Sequence, residues 1–237
     1  MSRQNLKLIG RGLYSLTEAS RLSGVPLRRI RRWINGYWFM QGGRRQWSEP
    51  VVGTEVWPIG GRPVLDFADL MEVRFLSALR DRRIGWPAIR LADTRAREML
   101  ATSHPFSSRR FIVHGRTILA EIRDETGDRH LLDLLRDQWE FEPVVFECIR
   151  KDLHYGDEDQ PRWWSPLGED RYVRIHPRRS FGAPVVSPGG IRTRILYGAY
   201  KAEKSYEAVG EWYAVKPEAV ADAVAFEEGL RHTRQAA

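Results

Sequence analysis

YSLTEASRLSGVPLRRIRRWINGYW, residues 14–38, holds two short amphipathic helices and the turn between them. Ser15 and Glu18 have the Ser-x-x-Glu spacing of a capping box, in which side chains and backbone satisfy each other's open groups at a helix start. Leu16, Ala19 and Leu22 recur at helical spacing and make one apolar stripe. Gly24 stops that helix, and Val25-Pro26 turns the chain into a second one from Leu27 to the region of Asn35. There Leu27, Ile30 and Ile34 face inward with Trp33 beside them, while Arg28, Arg29, Arg31 and Arg32 take the remaining arc. Two short helices on a glycine-containing turn, the second basic on its outer face, form the pattern of a DNA-binding helix-turn-helix.

The next residues extend that pattern. Tyr37–Gln41 and Arg44–Ser48 are β-prone segments separated by Gly42-Gly43, a hairpin signal. A hairpin after a recognition helix is a wing, and Arg44 and Arg45 at its tip suit phosphate or minor-groove contact. Ser15, Thr17 and Tyr37 join the six arginines as candidate DNA contacts, since hydroxyl side chains also bond phosphate oxygens. Most of Trp33, Trp38, Trp47 and Trp57 are expected to pack the wing against the helices.

Charge supports the same end of the chain. The net charge is +7, and residues 1–50 alone carry +8, with only Glu18 and Glu49 as acids. Residues 51–150 sum to −1 and residues 151–237 to 0. A localised basic field is the footprint of a polyanion-binding module. Composition adds exclusions. The single Cys148 rules out an internal disulfide. No apolar run reaches the roughly 18 residues of a membrane span, and no signal peptide is legible, so a cytoplasmic protein is expected.

Tyr14, Leu16, Ala19, Gly24, Val25, Ile30, Arg31 and Trp33 fall where MerR-type regulators carry their DNA-binding motif, and the stretch resembles that family. The resemblance implies a winged helix-turn-helix over residues 1–60.

Further along, residues 61–123 read as a second helical pair with a hairpin, suited to packing or DNA support. The first helix starts near Asp66 and presents Phe67, Leu70, Met71, Val73 and Leu76; the second carries Ile89, Ala92, Ala96, Met99 and Leu100. A hairpin is expected from Arg109–Val113 and Thr117–Ile122 around Gly115. Asp66 and Asp69 are read as first-turn acids favouring the helix dipole. Residues 124–171 show few sharp patterns and read as a connecting region, with Asp157-Glu158-Asp159 as an exposed acidic linker. Catalytic motifs are missing: no His-x-x-x-His, Gly-x-Ser-x-Gly or Walker loop occurs, and the six histidines stand alone in sequence. No enzyme, cofactor or metal is expected.

Residues 172–237 predict a further unit of three short helices. One starts at Thr193 with Ile195, Leu196, Ala199 and Tyr200; one is capped by Ser205 and carries Ala208, Val209 and Trp212; one starts at Pro217 with Val220, Ala223, Val224 and Phe226. The last helix is acidic between Glu218 and Glu228, which suits protein better than phosphate and points to dimerisation or partner binding.

His176-Pro177, Gly182-x-Pro184-Val185-Val186, Ile191-x-Thr193, Tyr213-x-Val215-x-Pro217-Glu218 and Ala223-x-Ala225-Phe226-Glu227 resemble a homeodomain-like antitoxin module. Joined to the N-terminal motif, the chain resembles large VapB-like antitoxins, which implies a PIN-like ribonuclease toxin as partner. The expected fold class is mainly α: a winged helix-turn-helix with short β-hairpin wings, then a three-helix homeodomain-like module. The expected function is a type II antitoxin that represses its own operon as a homodimer on duplex operator DNA. Candidate toxin contacts are Trp163, Trp164, Arg171, Arg174, Arg178, Arg179, Arg192 and Arg194. Two rival readings stand beside it: a stand-alone MerR-like regulator whose C-terminal half senses a small molecule, and a nucleoid or adaptor protein with little sequence preference.

Overall fold

The computed structural model describes residues 8–114, 117–123, 129–133, 138–140, 152–156 and 159–235, with side chains described except at 111–151 and beyond 231. Cys148, Gly115, Asp157 and Glu158 therefore lie outside the description. A two-residue strand β1 (Tyr14–Ser15) leads into α1 (Leu16–Ser23) and, after the Gly24 turn, α2 (Leu27–Asn35). The capping box forms as its spacing predicts: Ser15 Oγ accepts from Glu18 N–H, and Glu18 accepts from Ser15 N–H at 2.9 Å. Strands β2 (Tyr37–Gln41) and β3 (Arg44–Ser48) pair antiparallel through the Gly42-Gly43 turn and make the wing.

Strand β4 (Val64–Leu65) pairs with β1 and hands the chain to α3 (Phe67–Asp81), which is succeeded by α4 (Trp86–Leu100). Ile30 and Trp33 of α2, Phe67, Leu70, Met71, Val73 and Leu76 of α3, and Ile89, Ala92 and Ala96 of α4 are buried in one apolar cluster. Trp33 also ties α2 to the segment beyond the wing, its carbonyl accepting from Val51 and Val52 N–H at 2.8 and 3.1 Å. The two helical pairs thus share a core.

The middle of the chain holds more β-structure than its sequence suggested. The expected hairpin is present as β5 (Phe111–His114) and β6 (Thr117–Arg123), and β7 (Arg129–Asp133) and β8 (Gln138–Glu140) extend it to a four-stranded antiparallel meander. Strands β9 (Leu153–Tyr155) and β10 (Pro161–Trp164) form a further hairpin. These strands are short, and strand pairing depends on distant partners, which is why local patterning did not reveal them.

A small sheet of β11 (Val173–Arg174), β12 (Val185–Val186) and β13 (Ile191–Arg192) opens the C-terminal part. Helices α5 (Thr193–Glu203), α6 (Tyr206–Tyr213) and α7 (Pro217–Gln235) come next with the predicted starts, and Ser205 Oγ caps α6 by accepting from Ala208 N–H. Leu196, Tyr197, Val209, Val220, Ala223 and Val224 make their core. Ile195 and Trp212, expected on the apolar faces, are instead exposed. Val173, Ile175, Phe226 and Leu230 pack into the N-terminal cluster, so the two ends of the chain meet. Among the described residues seven α-helices carry the larger share of the regular structure, with several small sheets beside them.

Candidate nucleic-acid interface

Helix α2, the second of the helix-turn-helix, buries Ile30 and Trp33, and this sets the direction of everything else on it. Arg28, Arg29, Arg31 and Arg32 lie on its outer arc and are all exposed, and Arg44 and Arg45 are exposed at the wing tip. None of the six pairs with a carboxylate among the described residues, so their donors are open to an anion. Stacking on aromatic faces links helix and wing: the Arg32 guanidinium lies 5.0 Å from the Tyr37 ring centroid, and Arg45 lies 4.5 Å from that of Trp38. Such contacts order a guanidinium while leaving its edge donors free. Ser15 and Thr17 are exposed at the start of α1, and Tyr37 is half-buried at the base of the wing.

The wing is held at its base. Arg90 of α4 donates to Ser48 Oγ at 2.9 Å and to the Glu49 carbonyl at 2.5 Å. Gly36, at φ +72°, lies directly beneath the Trp47 ring: a Cβ there would meet Trp47 Cζ2 at 2.4 Å and the Ser48 carbonyl at 2.7 Å. The tryptophans require a correction. Of the four expected mostly to pack wing against helices, only Trp33 is buried; Trp38 is 54% exposed, Trp47 41% and Trp57 83%. A two-stranded wing has one face toward solvent, and Trp38 and Trp47 pair across its strands at 5.3 Å between centroids.

Behind the head lies a group of buried titratable residues that sequence reasoning missed. His104 Nε2 lies 2.9 Å from Asp69 Oδ1, and Ser103 Oγ lies 3.0 Å from His104 Nδ1 while donating to Glu55 at 2.6 Å. Arg11 closes the circuit, donating to Asp66 at 3.3 Å and Glu55 at 3.2 Å. The histidines are therefore not all isolated: His104 has this network, and His154 stacks on Trp163 at 3.3 Å and faces Glu169. Asp66 and Asp69 do more than favour a helix dipole, since each caps α3 by accepting the other's N–H at 3.0 Å. Asp66, Asp69 and His104 bring ligand atoms within 4.8 Å of one another. All four carboxylate oxygens of the two aspartates are nevertheless engaged by Arg11, His104 or backbone N–H, so the cluster works as a clamp between the segment before β1, the start of α3 and the loop after α4. The i, i+3, i+6 spacing of Asp66, Asp69 and Glu72 was the available sequence signal; nothing local announced His104.

The candidate toxin contacts divide. Trp164 is buried, with Arg74 3.9 Å over its ring, and Trp163 lies between His154 and Arg174. Arg171 is bound to Asp222 of α7, and Arg174 donates to the carbonyls of Gly168, Glu169, Arg171 and Val173. Arg178, Arg179, Arg192 and Arg194 make no ion pair among the described residues.

Fold and surface together define a helix-turn-helix protein with a winged basic head. Residues 12–92, from just before β1 into α4, match the family model described as "Putative DNA-binding HTH domain". Over 224 residues the chain is 25% identical to "Putative antitoxin VapB45" of Mycobacterium tuberculosis, spanning 90% of this chain and 92% of that protein. The crystal structure of Rv2018 from Mycobacterium tuberculosis shares the fold, with a TM-score of 0.60 at 21% identity over 89% of this chain and 96% of that one. No described helix is long and apolar enough to cross a membrane.

Proposed function

We propose that this chain is a cytoplasmic type II antitoxin that binds its operator as a homodimer, represses its own operon and neutralises a PIN-like ribonuclease, acting by binding and not by catalysis. The observation that carries the reading is the likeness to an antitoxin along nearly the whole length of both chains, helix-turn-helix included. Arg28, Arg29, Arg31, Arg32, Arg44 and Arg45 hold the DNA, with Ser15, Thr17 and Tyr37 at the edges of the contact. Residues 172–237 serve dimerisation or toxin binding, and of the candidate toxin contacts Arg178, Arg179, Arg192 and Arg194 have guanidinium donors to offer.

Co-expression with the neighbouring gene product tests the proposal. Full-length protein should restore growth, and the Arg28→Gln/Arg29→Gln/Arg31→Gln/Arg32→Gln variant should restore it equally while losing operator binding. A soluble variant that fails to rescue would place inhibition in the head. A neighbour that is not toxic would remove the antitoxin reading.

One observation favours a second reading, a regulator that senses a small molecule. A cavity of about 280 Å³ lies between α1 and the C-terminal part, lined by Leu13, Arg21, Leu22, Phe181, Arg192 and Arg194 among others. A neighbour without toxicity, joined to operator binding that responds to a metabolite extract, would favour this reading.

A further inference from the structure

The loop His176–Gly182 belongs by sequence to the neutral C-terminal part, yet the fold fixes it against the strand that opens the helix-turn-helix. Leu13 N–H donates to the Phe181 carbonyl at 3.3 Å, and the buried Tyr14 hydroxyl donates to the Gly182 carbonyl at 2.9 Å. The backbones meet with no room for a side chain: a Cβ on Gly182 would stand 2.3 Å from Tyr14 Oη and 2.9 Å from Gly12 Cα. The stem of Arg178 lies along Gly10, its Cγ 3.3 Å from where a Cβ would be. The loop is therefore in fixed register with the start of α1, whose cap Ser15 directly succeeds Tyr14.

This loop presents Arg178 and Arg179, and Arg162 of β10 is exposed nearby. Trp164 and Ile175 exchange backbone hydrogen bonds at 2.9 and 2.8 Å, which brings β10 alongside the start of this loop, and the His176 imidazole is held below its ordinary range first by burial and then by the charges of Arg179, Arg162 and Arg178. None of the three pairs with a carboxylate among the described residues. Like charges carried on adjoining segments repel one another, and a polyanion relieves that repulsion.

We propose that Arg162, Arg178 and Arg179 form a second phosphate-contacting surface, so that the DNA footprint runs from the helix-turn-helix onto the C-terminal part of the chain. The proposal rests on the DNA-binding reading of the head. Duplex DNA is the partner that fits, because the first helix of a helix-turn-helix crosses the phosphate backbone and the loop grips the strand leading into that helix. Phosphate contacts need only cations at fixed positions, without complementary apolar surface.

Binding of the full-length protein to a mixed-sequence duplex, followed across salt concentration, tests this without knowledge of the operator, since phosphate contacts are independent of sequence. Each contact contributes about 0.9 to the slope of log affinity against log salt, so Arg162→Gln/Arg178→Gln/Arg179→Gln should flatten the slope by roughly 2–3 per bound protomer. The corresponding triple lysine variant keeps the charge and should keep the slope, which separates charge from packing of the Arg178 stem. An unchanged slope in the glutamine variant, with a flattened one in Arg28→Gln/Arg31→Gln, overturns the second surface and leaves the head intact. A wild-type affinity that ignores salt overturns the DNA-binding reading and this proposal with it. An unchanged slope with lost capture of the neighbouring gene product assigns the patch to protein, and also overturns it.

Discussion

Gly36 and Glu72 show how single residues set the working conditions of the head. Gly36→Ala must fit a methyl group where Trp47 and the Ser48 carbonyl already stand, at a φ that favours glycine. The wing should detach from α2 at a cost of about 1–3 kcal/mol. DNA affinity should fall to that of a variant without Arg44 and Arg45, while far-ultraviolet circular dichroism stays helical. Glu72 acts through protons. It is buried, one oxygen accepts from Ser107 N–H at 2.8 Å, and the other has no hydrogen-bond partner among the described residues. Burial pushes its carboxyl up to about 7. Asp66 is raised as well, first by burial and then by Asp69. Burial alone would lower His104, but the Asp69 hydrogen bond and the charges of Glu72, Asp69 and Asp66 outweigh it and raise it. Asp66, Glu72 and His104 thus hold more protons folded than unfolded between their ordinary and raised values, so the stability this cluster contributes falls as pH rises. Through Glu72 the melting temperature should drop as pH rises from 4.5 to about 7. Glu72→Gln should remove much of that slope and raise stability at the alkaline end by on the order of 1–3 kcal/mol. A melting temperature that climbs across this window would show the cluster ionised in some other way.

At the scale of elements, α1, α2 and the wing form by local rules and act as one surface. Ser15→Ala removes the reciprocal cap of α1 and should lower stability by about 1 kcal/mol, read by urea unfolding. The wing tip lies away from the core, so Arg44→Gln/Arg45→Gln should leave stability unchanged. It should flatten the salt dependence of DNA binding by about 2 per bound protomer if both arginines meet phosphate. An unchanged slope would take the wing out of the interface.

The whole molecule is tied together across its sequence. Phe226 and Leu230 of α7 complete the cluster that holds α1 and α3, and Arg21 of α1 lies 4.0 Å from Glu227. Deleting residues 172–237 would therefore open the core of the head as well as remove three helices. Phe226→Ala tests this without truncation. A buried phenylalanine lost to alanine costs about 3–5 kcal/mol, and hydrogen exchange should accelerate in α1 as well as in α7. Protection retained in α1 would show that the head stands independently of the C-terminal part.

The sequence by itself determined what is local. The capping box at Ser15 and Glu18, the Gly24 turn, the wing around Gly42-Gly43, the helix pair after Asp66 and the starts at Thr193, Ser205 and Pro217 were all legible, because each depends on residues three or four apart or on a turn. The excess of positive charge in the first 50 residues was equally plain. Tertiary structure alone decided which side chains meet. His104 joined Asp69 across 35 positions, and the exposed faces of Trp38 and Trp57 went against their apolar character. Gly182 came to rest on Tyr14 across 168 positions, which put Arg178 and Arg179 beside the basic head although their own stretch of chain is neutral. The reason is physical: helix periodicity and capping are short-range, whereas the pairing of strands, the burial of ionisable groups and the convergence of charges depend on how distant segments close on a shared core.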